Sequence, residues 1–115
     1  MRRKEFNCPV EATLDAIGGK WKAVILWHLK DKVRRFGQLR KLIPDITQKM
    51  LTQQLRELEE DGLVNREVFP QVPPRVEYSL TEYGKSLRPL LNQMCRWGME
   101  HLKYLEDAMD ERIAR

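Results

Sequence analysis

Apolar residues recur every three or four positions along most of this chain, which is the spacing of helices that bury one face. Proline and glycine mark several helix ends: Pro9 suits a first helical turn, and Gly18-Gly19 and Gly62 suit helix C-termini. Thr47 is placed to cap the fourth helix. The predicted helices span residues 9–17, 20–30, 36–42, 47–61 and 81 to at least 104.

Each of the first four helices has apolar residues that share one face and are expected to point into a common core. Pro44 separates the third helix from the fourth, because the residue before a proline is biased away from helical geometry. The expected core-facing residues are Val10, Leu14 and Ile17, then Trp21, Val24, Ile25 and Leu29, then Phe36, Leu39 and Leu42 or Ile43, then Leu51, Leu55 and Leu58.

The period of apolar positions changes to two after Gly62, which indicates β-strands. Two alternating stretches follow, and between them the proline-rich residues 70–74 are too rigid and too poor in N–H donors for a strand interior. These features predict a β-hairpin over residues 63–80. The polar connection at 31–35 could hold one further, very short strand.

The order of these elements predicts the fold. Thr81 is placed to cap a long last helix, which contains Pro89 and is expected to kink or loosen there. Two helices joined by a tight turn and followed by a hairpin are the layout of a winged helix-turn-helix. We expect a mainly α fold with a small β-hairpin wing (α+β) in one domain over residues 1–115. Its parts are a helix-turn-helix at about 36–61, a wing at 63–80 and a C-terminal dimerisation helix at 81–108.

Composition narrows the classes of protein that fit this layout. The chain has 115 residues, of which 42% are hydrophobic and 33% are charged, as in a folded, water-soluble domain. The longest apolar run, Ala23–Trp27, is far shorter than a membrane span. The basic N-terminus leads into no apolar stretch, so no secretory signal is expected. Two cysteines, too few for a disulfide framework, fit a reducing compartment, and we expect a cytoplasmic protein.

The net charge of +4 is unevenly divided along the chain. Residues 1–49 carry 12 Lys/Arg against 5 Asp/Glu, whereas residues 50–115 carry 9 against 12. Basic charge therefore collects in the first half, which indicates a polyanionic partner at one surface. A solvated basic face would give the same imbalance, so charge alone does not decide for nucleic acid.

The helix at 47–61 has the surface expected of a helix that reads DNA. Opposite its leucine stripe lie residues that can donate to base edges or phosphates, none of them acidic: Gln48, Lys49, Thr52, Gln53 and Arg56. Glutamine can pair with adenine, and arginine with guanine, through two hydrogen bonds each. The acidic residues come later, from Glu57 onward, and recognition helices place their first turns in the groove. The alternative is an ordinary amphipathic helix with a mixed solvated face.

Two further arginines are candidates for DNA contact. Arg75 follows Pro73-Pro74 at the expected tip of the wing, where a rigid loop can hold a cation against a phosphate or in a narrow minor groove. Arg35 opens the first helix of the turn motif, beside backbone N–H groups that attract phosphate. Each also has an ordinary interpretation, Arg75 as a solubilising turn residue and Arg35 as a surface charge beside Arg34.

The last helix carries an apolar face longer than so small a domain needs for its own core. Such a face commonly packs on a partner, and we expect a symmetric homodimer to which the first helix also contributes. Covering the winged-helix core explains the first half of this face well but the second half poorly. The expected interface residues are Leu87, Leu91, Met94, Trp97, Leu102 and Leu105.

Six runs of residues carry a family resemblance: Cys8-Pro9-Val10-Glu11, Ile17-Gly18-Gly19-Lys20-Trp21, Arg35-Phe36, Lys49-Met50-Leu51-Thr52, the stretch from Leu55 to Val64, and the stretch from Pro73 to Thr81. In order and over about residues 6–98, the chain resembles the HxlR-type winged-helix regulators. The resemblance implies a homodimeric, DNA-binding transcription factor of bacterial type, similar to MarR proteins. It also implies that helix 47–61 is the recognition helix and that the loop around residues 73–75 is the wing.

Cys8 is the candidate for a chemical sensor. It stands at a helix N-terminus and close in sequence to Arg2, Arg3 and Lys4, and both features favour a reactive thiolate. Some HxlR-type proteins have a cysteine here that senses oxidants, quinones or aldehydes, so the resemblance implies an oxidant or small-molecule effector. The alternative is a small buried residue that packs the first helix. Cys95 is expected in interface or core packing, and an intersubunit disulfide would need Cα atoms within about 7 Å.

Enzyme chemistry is not expected. Gly18-Gly19-Lys20 lacks the earlier glycine of a phosphate-binding loop. His28 and His101 are expected at core or boundary positions, and the histidines and cysteines show no metal-ligand spacing, so neither a metal nor a cofactor is predicted. Besides a DNA-binding regulator, the sequence leaves open a winged-helix protein–protein interaction module without specific DNA readout. A small-molecule-binding enzyme is a more remote alternative.

Overall fold

Residues 4–114, which a computed structural model of the chain describes, form six helices and three short strands. The strands form one antiparallel sheet in the order β1–β3–β2. The helices are α1 (Pro9–Ile17), α2 (Lys22–Leu29), α3 (Phe36–Leu42), α4 (Gln48–Glu60), α5 (Glu82–Lys85) and α6 (Arg88–Ala114). The strands are β1 (Arg34–Arg35), β2 (Val64–Phe69) and β3 (Arg75–Leu80).

The helix-turn-helix consists of α3 and α4. α3 has the predicted bounds, and Thr47 caps α4 as predicted, because its hydroxyl accepts a hydrogen bond from the Met50 N–H at 3.1 Å. Gly62 follows the end of α4 with a φ of +76°, a left-handed conformation that favours glycine. With the hairpin that follows, these elements confirm the predicted mainly α architecture with a small β wing.

The wing is a hairpin of β2 and β3, and β1 pairs with the other edge of β3. The hairpin register runs from Val64 opposite Leu80 to Phe69 opposite Arg75. Val64, Leu80 and Tyr78 are buried in the core. Because side chains alternate along a strand, the even-numbered residues of both strands face the helices and the odd-numbered residues face away.

One apolar core joins the helices to the sheet. The recognition-motif helix α4 contributes Leu51, Leu55 and Leu58, the three residues predicted for its buried face, and all three are buried. Leu26 of α2 and Leu91 of α6 belong to the same cluster. Apolar burial is the dominant favourable contribution to folding, so this cluster fixes how the helices and the sheet are arranged.

Four residues predicted to face the core lie largely in solvent. In α1 only Ile17, in the last turn, is buried, because the rest of the helix has no other element of the chain packed over its predicted apolar face. In α2 and at the end of α3 the buried positions are taken by Leu26 and Ile43, each next to or near the predicted residue. The exposed residues are Val10, Leu14, Val24 and Leu42.

The prediction of one long last helix capped by Thr81 is wrong. Thr81 caps the four-residue helix α5, and its hydroxyl accepts from the Gly84 N–H at 2.8 Å. The chain then breaks, and α6 begins at Arg88 with Pro89 in its first turn. Proline has no N–H and its ring clashes with the carbonyl four residues earlier, so it is tolerated in a first helical turn but not in a continuous helix.

Gly84 allows α5 to approach the start of the wing closely. A Cβ atom added at Gly84 would overlap the carbonyl of Leu63. That carbonyl cannot move freely, because it accepts a hydrogen bond from the Thr81 N–H at 3.1 Å. The contact therefore requires glycine at this position.

We expect Gly84→Ala to lower the free energy of unfolding by roughly 1–3 kcal/mol, because the added methyl group forces α5 away from Leu63. The measurement is the urea or thermal unfolding transition. Gly37→Ala is the matched control, since a Cβ there meets nothing within 4 Å, and its stability should be unchanged or slightly higher. Equal stability of the two variants would contradict the tight contact.

Candidate nucleic-acid interface

An open groove runs along the exposed side of α4. The five residues predicted for DNA contact line this groove together, and Glu57 and Glu60 line its far end. The leucines on the opposite side of the helix are buried, so the helix cannot rotate these residues inward without exposing the core. The five are Gln48, Lys49, Thr52, Gln53 and Arg56.

The polar groups of this groove are largely free to meet a ligand. Lys49, Gln53 and Arg56 are exposed, and among the described residues no carboxylate lies within 4.0 Å of either cation. Thr52 is half-buried, and its hydroxyl donates to the Gln48 carbonyl at 2.9 Å. A row of donors with an uncompensated positive charge is the surface that nucleic acid requires.

The acidic end of α4 shares this groove but is partly neutralised. Glu57 lies 3.7 Å from the Lys22 ammonium, and its carboxylate accepts a hydrogen bond from the Gln54 amide at 3.1 Å. Both partners hold the Glu57 carboxylate against the body of the domain. The positive part of the groove therefore lies over the first two and a half turns of α4.

Arg75 lies at the base of the wing loop and not free at its tip. Its guanidinium sits 4.0 Å from the centre of the Phe69 ring, which is its cross-strand partner. Its Nε is 3.4 Å from a carboxylate oxygen of Glu77 but has no hydrogen-bond partner within the described structure. The side chain is 30% exposed, on the face of the sheet that points away from the helices.

Arg35 is exposed at the start of α3, as the sequence predicted. Its N–H donates to the Gln38 side chain at 2.8 Å, so this backbone donor is already satisfied. The neighbouring Arg34 is committed to the fold, since its Nε donates to the His28 carbonyl at 3.1 Å. Of the two arginines, only Arg35 has a side chain that is exposed for a ligand.

Sequence reasoning missed Arg66 of β2. It lines a cleft between α4 and the wing together with Thr52 and Arg56. The signal was present in the alternation of the hairpin, because counting two residues on from buried Val64 places Arg66 on the face toward the helices. A basic residue at a position where the pattern expects an apolar one marks a local departure from core packing.

Cys8 is exposed at the N-cap position of α1, so the alternative of a buried packing residue is wrong. Its carbonyl accepts from the Glu11 N–H at 3.0 Å. Arg2 and Arg3, the residues expected to activate its thiol, lie outside the described residues. Lys4 is occupied elsewhere, in an ion pair with Asp15 at 2.7 Å.

Cys95 is half-buried in α6. It lines a small apolar pocket between α2 and α6 with Trp27, Leu91 and Met94. This agrees with the expectation of a packing role.

The predicted interface residues of α6 divide into two groups. Leu91 is buried in the core and Leu87 packs against it, so these two residues serve the fold of a single chain and the interface prediction for them is wrong. Further along, large apolar side chains are uncovered over several turns. The exposed members of the predicted set are Met94 (43%), Trp97 (65%), Leu102 (63%) and Leu105 (49%).

Neither histidine is placed to bind a metal. Burial, with a smaller contribution from the Arg34 charge, lowers the pKa of His28. His101 is exposed, contrary to the core or boundary position expected, and stacks between Trp97 and Tyr104 with ring centres 4.8 and 6.1 Å away. Within residues 4–114 no group of three or more His, Cys, Asp or Glu could hold a metal ion. None of the helices in that range is long and apolar enough to cross a membrane.

Comparison with known proteins identifies the family. A family model described as HxlR-like helix-turn-helix matches residues 16–106. The chain belongs to the HxlR-like helix-turn-helix family. The family match spans the helix-turn-helix, the wing and most of α6.

Individual HxlR relatives agree in sequence and in structure. The HTH-type transcriptional regulator YtcD of Bacillus subtilis (strain 168) is 59% identical over 102 residues, covering 89% of this chain and 81% of YtcD. The redox regulator HypR in its reduced form is 56% identical with a TM-score of 0.82, covering 87% of this chain and 99% of HypR. Reduced YodB from B. subtilis is 38% identical with a TM-score of 0.69, covering 80% of this chain and 91% of YodB. This HxlR protein is therefore a transcriptional regulator and not an enzyme.

Proposed function

We propose that this HxlR protein is a homodimeric regulator that binds double-stranded DNA sequence-specifically, with α4 in the major groove. The observation that carries the proposal is the groove of uncompensated donors along α4. Gln53 and Arg56 are suited to base edges, whereas Lys49 is suited to a phosphate. Since the partner is operator DNA, we also infer a cytoplasmic location.

The wing supplies contacts outside the major groove. We propose that Arg75 contacts the DNA backbone or the minor groove, and that Arg35 contacts a phosphate beside α3. The pair between Arg75 and Glu77 is partly solvated and lacks a hydrogen bond through Nε, so exchanging the carboxylate for a phosphate costs little. Phe69 supports the guanidinium during this exchange, because a cation over an aromatic face is stabilised without a counter-ion.

Gln53→Ala should relax the preference for one operator base pair by roughly tenfold, because one bidentate base contact contributes about 1–3 kcal/mol of discrimination. Binding to unrelated duplexes should change much less. The measurement is fluorescence anisotropy titration against duplexes substituted at each position. Gln93→Ala, an exposed glutamine of α6, is the matched control and should leave the preference unchanged.

The same titrations separate regulation through DNA from the alternative of a protein-interaction module. The logarithm of the duplex affinity should fall with the logarithm of salt concentration, with a slope of about 0.9 for each phosphate contacted. Wild-type protein that does not bind duplexes in this salt-dependent way would favour a winged-helix module acting through α6. A uniform loss across sequences in Gln53→Ala would make Gln53 a backbone contact.

The exposed apolar residues of α6 support the homodimer. Trp97, Leu102 and Leu105 form a surface too apolar to face water over several turns in a stable monomer. Val10 and Leu14 of α1 are exposed in the same way, which supports a contribution from the first helix. A two-fold dimer would place its two copies of α4 in half-sites about 34–36 Å apart, one turn of B-DNA.

Leu102→Glu should convert the dimer to a monomer, because it places a charge in the middle of the proposed apolar contact. The helix content should be unchanged, since Leu102 is exposed within one chain. Sedimentation velocity measures the mass. Gln93→Glu adds the same charge to an exposed position of α6 outside the predicted apolar face and should stay dimeric. Dimeric Leu102→Glu protein would overturn this interface.

The exposed thiol of Cys8 supports a response to oxidants or electrophiles. It lies at the N-terminus of α1, so a modification there acts on a helix proposed to lie at the dimer interface. Two structural neighbours are named for such chemistry, the redox regulator HypR in its oxidised form and diamide-treated YodB. We propose that Cys8 is the reactive thiol of this chain and that Cys95, half-buried against α2, is not.

Diamide should release wild-type protein and the Cys95→Ser variant from operator DNA and leave Cys8→Ser bound, because only Cys8 presents an exposed thiol. The measurement is anisotropy of the labelled operator before and after treatment, with recovery on adding dithiothreitol. Release of Cys8→Ser by diamide would rule Cys8 out as the sensor.

A further inference from the structure

A second cleft lies between α4 and the wing, around the corner from the groove described above. Its walls come from two elements that the core holds rigidly, the outer side of α4 and the helix-facing side of β2. It is lined by Thr52, Leu55, Arg56, Glu59, Arg66 and Tyr78.

The charge of this cleft is not compensated within the chain. Arg56 and Arg66 both line it and both are exposed, yet no carboxylate of residues 4–114 lies within 4.0 Å of either guanidinium. Glu59 lines the cleft too but forms no ion pair with them. Two guanidinium groups that converge on a concave site favour an anion with several acceptor oxygens.

The sheet register explains why Arg66 is held there. Arg66 stands opposite Tyr78, whose ring is buried, and the two side chains share the helix-facing side of the hairpin. One residue further along β3, Glu77 belongs to the other face, so its carboxylate cannot reach into the cleft. Arg66 therefore meets Arg56 and not the acidic residue next to its cross-strand partner.

We propose that this cleft binds one phosphate of the DNA backbone, held between Arg56 of α4 and Arg66 of β2. The inference rests on the proposed function, because it needs a duplex lying along α4. A phosphate clamped between the helix and the wing fixes how far α4 can slide along the major groove. Arg66 is thus a positioning residue for base reading, and it contributes equally to every DNA sequence.

Arg66→Gln should weaken binding to operator and unrelated duplexes alike by about tenfold, the effect of losing one charge-assisted hydrogen bond. The slope of log affinity against log salt should fall by about 0.9. Arg96→Gln removes the same charge from an exposed position of α6 and should change neither quantity. Arg66→Lys keeps the charge without the planar fork and should lie between Arg66→Gln and wild type.

The contacted phosphate can be located with duplexes that carry a single uncharged methylphosphonate at successive positions. One position in each half-site should weaken wild-type binding and have no further effect on Arg66→Gln, because the pair is already lost. Glu59→Gln should strengthen binding at all sequences, since it removes the carboxylate that lines the cleft. If Arg66→Gln and Arg96→Gln bind equally, or no methylphosphonate position is masked, the inference is overturned.

Two further outcomes separate this inference from the proposed function and from a free anion. If Arg66→Gln matches its control while Gln53→Ala still alters base preference, the phosphate clamp fails and the DNA-reading function stands. If wild-type protein binds no duplex, both fail. Inorganic phosphate that competes with DNA better than chloride at equal ionic strength, in wild type but not in Arg66→Gln, with no masked position, would instead make the cleft a site for a free anion.

Discussion

The burial of one side of α4 is the constraint on which the rest of the structure depends. Leu51, Leu55 and Leu58 are almost completely removed from water, and each buried leucine stabilises the fold by about 1.5–3 kcal/mol. The helix therefore has one allowed rotation about its axis. That rotation turns Lys49 and Gln53 outward and Arg56 toward the cleft beside the wing, so core packing determines which residues can meet DNA.

A small hydrogen-bonded junction holds the wing at a fixed position beside α4. Thr81 donates its hydroxyl to the Gly62 carbonyl at 2.6 Å and its N–H to the Leu63 carbonyl at 3.1 Å, while accepting from the Gly84 N–H at 2.8 Å. One residue thus ties the end of α4 to the start of β2, the end of β3 and α5. Because the strands are fixed at this base, Arg66 keeps its place relative to Arg56.

The elements with strong local signals could be predicted from the sequence, and the contacts between distant residues could not. The cap at Thr47, the turn at Gly62 and the donors of α4 follow from patterns within a few residues. The position of Arg75 depends on its cross-strand neighbour Phe69, and that of Arg66 on the hairpin register, which a linear pattern shows only if the alternation is counted. The break before α6 was underestimated, because Pro89 fits a new first turn better than a kinked helix.

That break leaves α6 without a continuous backbone helix to the wing. Its start is held instead by the last turn of α2, where the Arg88 Nε donates to the Lys30 carbonyl at 2.5 Å and lies 3.7 Å from Asp31. α2 in turn packs against α3, α4 and the sheet. The C-terminal end of α2 therefore acts as the joint of the molecule: any change in the angle of the long α6 reaches the DNA-facing helix through this one short segment.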